Sequence, residues 1–125
     1  MTISNRIKKK TAEVRKRIRE KGNERITFLV IPHNDKAIVN RDRNDVLSSD
    51  VVFADLRSSS KVSIGSMVEY GWADAFRKPI VTLMEREGNF HDHAFVHQLS
   101  TYVTDDFEEA FHLTLYLLNA RNPRV

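Results

Sequence analysis

A chain of 125 residues is long enough for one hydrophobic core and short for two, so residues 1–125 read as a single domain. The absence of cysteine excludes disulfides, thiolate metal sites and a thiol nucleophile, and no apolar run approaches the 18 residues of a membrane span. The net charge of +3 is unevenly spread, because residues 1–25 hold ten Lys and Arg against three Glu.

In chain order, Ile3, Ile7, Val14 and Ile18 form one helical stripe, with Thr11 in the gap. They predict an amphipathic helix over about 4–21, with Gly22 as its C-terminal cap and the basic residues on its solvated face. Nucleic-acid binding is the weaker use of that charge, because no aromatics are interleaved with it. No apolar signal segment follows the basic N-terminus, and the cytoplasm is the expected location. Ile26–Ile31 read as a strand ending at Pro32, a helix follows over about 36–48, and Val51–Leu56 read as the next strand. A helix over 66–77 leads through Lys78-Pro79 into a strand over Ile80–Met84. Glu85–Asn89 form a loop, residues 90–99 carry no decisive pattern, and Thr101–Thr104 read as a short last strand. Asp105 or Asp106 then caps a helix to about Asn119, with Phe107, Phe111, Leu115 and Leu118 on its buried side. Strands alternating with helices imply an α/β fold: a small, doubly wound, Rossmann-like parallel sheet of about four strands covered on both faces. Ligands of such sheets bind at the carboxyl ends of the strands. There the loops Pro32–Asp35, Arg57–Ser66 and Glu85–Asn89 meet.

The segment Ser63-Ile64-Gly65-Ser66-Met67-Val68-Glu69-Tyr70-Gly71-Trp72-Ala73 carries the chemistry. Gly65 permits close backbone approach, Ser66 is a good N-cap, and Glu69 three residues on falls in the first turn, where the helix dipole favours a carboxylate. Ser63 lies just upstream, where hydroxyls and backbone N–H groups can hold an anion. The same spacing also suits a capping box, in which Glu69 bonds back to the cap. Gly71 costs the helix stability, which points to another backbone or a ligand coming close. Tyr70 and Trp72 suit subunit packing better than base stacking. His91, His93 and His97 are better placed as surface or interface residues than as metal ligands, since no HExxH pattern accompanies them.

The strand ending at Ala54-Asp55-Leu56, followed by Gly65-x-x-x-Glu69-x-Gly71-x-Ala73, resembles the signature of the nucleoside 2-deoxyribosyltransferase superfamily. The resemblance spans roughly residues 6–118 and is specific over Asp42–Pro79. It implies that Glu69 is the nucleophile at the anomeric carbon. It also implies that Ser63, six residues earlier, binds a 5′-phosphate with Gly65 and Ser66. The transferase branch tends to carry an aspartate at the position of Ser63, so the chain looks more like the nucleotide N-glycosidase and CMP hydrolase branch. Ile38-Val39-Asn40-Arg41-Asp42, ahead of Val46-Leu47 and Asp50-Val51-Val52, is similar to the family segment whose aspartate helps protonate the base, which makes Asp42 the second catalytic candidate. Read without the family, Asp42 is a helix-surface charge pairing with Arg41, Arg43 or Lys36.

The resemblance implies a nucleotide or nucleoside as substrate, no metal and no organic cofactor. It departs from the family in one place. Members open with an apolar strand, whereas this chain opens on the helix that should follow it. Truncation, supply of the missing piece by another subunit, and loss of catalysis all account for that. The exposed sheet edge it leaves suits a homodimer or higher homo-oligomer. Base exchange by a deoxyribosyltransferase and a non-catalytic nucleotide sensor stand beside hydrolysis as functions.

Overall fold

The structure, a computed structural model, describes Lys16 and residues 35–121. The helix expected over 4–21, the strand Ile26–Ile31 and most of the Pro32–Asp35 loop lie outside the described residues. Helix α1 (Asp35–Ser48) leads into strand β1 (Val52–Asp55), helix α2 (Ile64–Ala75) into β2 (Ile80–Leu83), and helix α3 (Ala94–Leu99) into β3 (Tyr102–Thr104). Helix α4 (Phe107–Arg121) closes the described chain. The strands are all parallel, in the order β1-β2-β3, so three of the roughly four expected strands are described.

Each strand is too short to hold a core alone, and β1 and β2 are buried on both sides, as in a parallel sheet with both faces covered. Val51 and Phe53, with Val81 and Leu83, face α4 and pack on Ala110, Phe111 and Leu118. Val52, Ala54 and Leu56, with Ile80 and Met84, face the other way. They meet Val46 of α1, Tyr70 and Ala73 of α2, and Val96 of α3. Helices therefore cover both faces, which is the doubly wound arrangement. Among the described residues no helix is long and apolar enough to cross a membrane.

The helix ends show which local signals decided the boundaries. Of the two aspartates before α4, Asp106 is the cap: its Oδ1 accepts the Glu109 N–H at 3.0 Å, while Asp105 pairs with Arg86 on the surface. Helix α2 stops at Ala75, short of the expected residue 77, because Arg77 takes the left-handed conformation (φ 59°) that closes the helix. Lys78 precedes a proline and is disfavoured in a helix. The undecided stretch contains α3, only six residues long, capped by the His93 ring, whose Nδ1 accepts the Phe95 N–H at 3.1 Å.

Tyr70 is 2 % exposed and belongs to this chain's own core, which corrects the expectation of subunit packing. Its hydroxyl lies 2.5 Å from Thr82 Oγ1, which lies 2.7 Å from Ser100 Oγ, which donates to the Val96 carbonyl. Because Ser100 spends its proton on Val96, the chain of donors runs from Tyr70 to Thr82 to Ser100 and ties α2, β2 and α3 together. Burial pushes the Tyr70 hydroxyl far above the ordinary tyrosine range, and its hydrogen bonds offset only part of that rise. Trp72 is half-buried against the same cluster, with the Arg43 guanidinium 5.9 Å over its ring, which joins α1 to α2.

Gly71 is exposed, and a Cβ added there would meet no atom within 4 Å among the described residues. The close approach expected at this position is therefore not made within the described chain. Gly71→Ala should raise stability by roughly 0.5–1 kcal/mol through helix propensity alone. Urea or thermal unfolding measures it, and a loss of stability would mean that another backbone reaches this face.

Candidate active site

Asp55, Leu83 and Thr104 stand in register at the carboxyl edge of the sheet, so the loops after β1 and β2 leave it side by side. The first loop is tied down at its start. Asp55, buried, accepts the Arg57 backbone N–H at 3.1 Å and its guanidinium at 2.9 and 3.0 Å. Ser58 takes a left-handed conformation (φ 57°) and donates its N–H to the Glu85 carboxylate of the second loop.

Asn89 bridges the two loops. Its amide donates to the Leu56 carbonyl at 2.7 Å and to Glu85 Oε1 at 3.0 Å. Its Oδ1 receives the His91 backbone N–H at 2.8 Å and stands 3.1 Å from His91 Nδ1. His91 Nε2 accepts the Ser63 N–H at 2.8 Å. A backbone N–H can only donate, so Nε2 is unprotonated and Nδ1 carries the proton it gives to Asn89. His91 is thus a neutral, buried imidazole holding the loop before α2, which corrects its expected surface role.

Ser63, not Ser66, caps α2. Its Oγ accepts the Ser66 N–H at 3.2 Å and the Ser66 hydroxyl at 2.9 Å, and its carbonyl accepts the first helical N–H, from Met67. Ser66 therefore serves the cap and is not an open donor. The Ser63 hydroxyl keeps one proton to give outward. Beside it the N–H groups of Ile64 and Gly65, first and second in the helix, have no acceptor among the described residues. Of the expected Ser63, Gly65 and Ser66, the first two thus keep a donor without an acceptor among the described residues, Ser66 is committed to the cap, and Ile64 stands in its place.

Moving the cap back to Ser63 makes Glu69 the sixth residue of α2, in its second turn. The capping box is not formed. The Ser63 N–H is held by His91 and the Ser66 N–H by Ser63. The dipole effect expected for Glu69 is correspondingly weak, because it fades beyond the first turn. Glu69 is buried, 7 % exposed, with Oε1 fully enclosed.

Asp42 sits on α1, its side chain 14 % exposed, with Oδ1 accepting Arg41 Nε at 3.2 Å and Nη2 at 3.0 Å. The Arg41 pairing weighed from the sequence is therefore made, while Arg43 turns to Asn40 and Trp72. Asp45, one turn on, went unnoticed in the sequence. Burial first, and then the Asp42 carboxylate, raise its pKa above the ordinary value, against a lowering by Arg41. Helices α1 and α2 pack side by side and both run away from the carboxyl edge. Arg43 meets Trp72, and Val46 shares a cluster with Tyr70 and Ala73. The segments bearing Asp42 and Glu69 therefore lie abreast.

His97 Nε2 lies 2.7 Å from Asp92 and His93 caps α3, so the three histidines are engaged separately. Among the described residues no group of three or more His, Asp or Glu side chains is placed to hold a metal. Sequence reasoning gave Asn89 no role of its own and weighed His91 as a metal ligand or, preferably, a surface or interface residue. The available signal was the place of Asn89 in a loop already assigned to the carboxyl edge, with His91 two residues beyond it.

A family model described as nucleoside 2-deoxyribosyltransferase matches residues 3–114. Among solved structures the chain is similar to the Clostridium botulinum CMP N-glycosidase BcmB. The TM-score is 0.56 at 21% sequence identity, over 88% of this chain and 93% of that one. No curated protein matches. At this identity the structural likeness speaks for the fold, an open parallel sheet wrapped by helices.

Burial holds the His91 imidazole below its ordinary pKa of 6.5. As pH falls through that ordinary value the unfolded chain takes up the proton first, so stability present at neutral pH is lost below about 6.5. His91→Gln does not titrate and removes this part of the pH dependence. Thermal unfolding from about pH 7.5 to about 5.5 should show the wild type losing more stability than the variant. Parallel curves would contradict the buried neutral imidazole.

Proposed function

The chain belongs to the nucleoside 2-deoxyribosyltransferase family, and from that premise we propose that it is an N-glycosidase hydrolysing the base–sugar bond of a ribo- or deoxyribonucleoside 5′-monophosphate. The observation that carries this reading is the layout of α2. Three donors at its head, the Ser63 hydroxyl and the Ile64 and Gly65 N–H groups, have no acceptor among the described residues. The Glu69 carboxylate follows on the second turn, about 9 Å further along the axis from Ser63. That interval suits a sugar phosphate lying along the helix, phosphate at the head and anomeric carbon over the carboxylate.

In this reading a Glu69 oxygen attacks C1′, the C1′–N bond breaks, and its electron pair leaves with the base nitrogen. Asp42 supplies the proton to the departing base. Water then attacks C1′ of the glutamyl ester and gives its proton to Asp42, releasing the sugar 5-phosphate and restoring both the Glu69 carboxylate and the Asp42 acid. Two displacements retain the configuration and ask for two carboxyl groups on one sugar. The abreast packing of α1 and α2 is compatible with that demand. No metal or organic cofactor takes part. A homo-oligomer belongs to the same reading, supported by the apolar surface that Ile64, Val68 and Phe95 leave exposed.

Similarity of the fold to a CMP N-glycosidase favours hydrolysis. The transferase description of the matching family favours a second reading, in which another base takes the sugar in place of water. Incubation with each nucleoside monophosphate, followed by chromatography of free base, separates the two. Hydrolysis predicts base release that added acceptor base leaves unchanged, with Glu69→Gln slower by at least about a thousandfold. Base exchange would favour the transferase, and saturable binding without turnover would overturn both in favour of a nucleotide sensor.

A further inference from the structure

We propose that His91 is the positioning residue that makes the head of α2 selective for a phosphate over an uncharged 5′-hydroxyl, acting through the one hydrogen bond its Nε2 accepts from Ser63. The proposal rests on the reading of α2 as the phosphate and sugar site and adds the group that sets its specificity. His91 reaches Ser63 from a different loop, 28 residues away, and is 2 % exposed. Its ring is held from behind by Asn89, and Asn89 is held by the Leu56 carbonyl and by Glu85. The acceptor presented to Ser63 is therefore rigid.

Every other bonding capacity of Ser63 is committed. Its carbonyl takes the Met67 N–H, and its Oγ takes two donors from Ser66. With the N–H on His91, the hydroxyl proton alone remains, next to the Ile64 and Gly65 N–H groups. A hydroxyl that accepts two hydrogen bonds is polarised into a stronger donor. Three neighbouring donors at one helix end match the acceptor oxygens of a phosphate, and an uncharged hydroxyl makes far less use of them. Without the Nε2 acceptor the Ser63 N–H is left unsatisfied beside the site. The peptide then turns to find a partner and carries the Oγ away from the Ile64 and Gly65 N–H groups.

Two isosteric substitutions separate this role from plain structural support. His91→Asn presents an amide near Nδ1 and keeps the Asn89 contact, but offers Ser63 no acceptor. His91→Gln presents an acceptor near Nε2. Base release is measured from a nucleoside 5′-monophosphate and from the matching nucleoside, and inorganic phosphate is titrated while the amide NMR signals of Ser63, Ile64 and Gly65 are followed. The ratio of kcat/KM for nucleotide over nucleoside should fall about tenfold or more in His91→Asn, the worth of one charge-assisted hydrogen bond, and recover in His91→Gln. The phosphate-induced shifts should be lost and regained in step. An unchanged ratio, with both substrates slowed alike, would overturn the proposal, as would phosphate shifts of wild-type size in His91→Asn. If the wild type releases no base from either substrate, the glycosidase reading falls and the phosphate titration alone decides for or against His91.

Discussion

The Ser63 N–H to His91 bond and the Ser63 cap it supports set where α2 begins, and most of the candidate site follows from that start. A helix begun at Ser66 would put Glu69 in its first turn, close enough to satisfy backbone donors. Begun at Ser63, the same helix carries Glu69 about 4.5 Å further from its head. The donors that a capping glutamate would have served are taken by His91 and by Ser63 itself. One long-range hydrogen bond thus moves Glu69 from the first turn, where it would cap the helix, to the second.

Division of labour along the helix follows from the same register. The first turn of a helix collects unsatisfied N–H groups and positive potential, so it suits the anionic end of a substrate. Glu69, buried on the second turn, lies past that cluster of first-turn donors, and the proposed reading sets the sugar against it. The sheet supplies the rigidity. β1 and β2 end level, Asp55–Arg57 and Ser58–Glu85 fix the two loops, and Asn89 links them. Tyr70, next to Glu69, anchors α2 to β2 through Thr82.

Much of the fold was legible in the sequence because short apolar runs alternate with helical periodicity. β1, β2, β3, α1, α2 and α4 all lie where those patterns placed them, within a few residues. Helix α3 was not legible, since six residues give too few turns for a periodicity and its cap is a histidine ring. Nor did composition say which residues of a strand apolar on both sides face which helix. Phe53 faces α4 and Ala54 faces α1–α3, a distinction made only by packing. At the site, the segment and its place at the sheet edge were readable, but the choice between Ser63 and Ser66 as cap was not. Both serines obey the local rule, and the deciding contact comes from His91. The Asn89 and Glu85 links are equally distant in sequence, and no local spacing announces them. Tyr70 misled because an aromatic beside a candidate nucleophile reads as exposed for subunit packing, whereas it is core. At Gly71 no atom comes within 4 Å of an added Cβ among the described residues.

The central claim is that the second-turn carboxylate of α2 bonds covalently to the sugar. A nucleoside 5′-monophosphate with a 2-fluorinated sugar slows breakdown of such an ester, so intact-protein and peptide mass spectrometry measure it directly. The account predicts a mass increase equal to one sugar phosphate, located on Glu69, with free base released in equal amount. Base release with no adduct on Glu69, or an adduct on another residue, would contradict it.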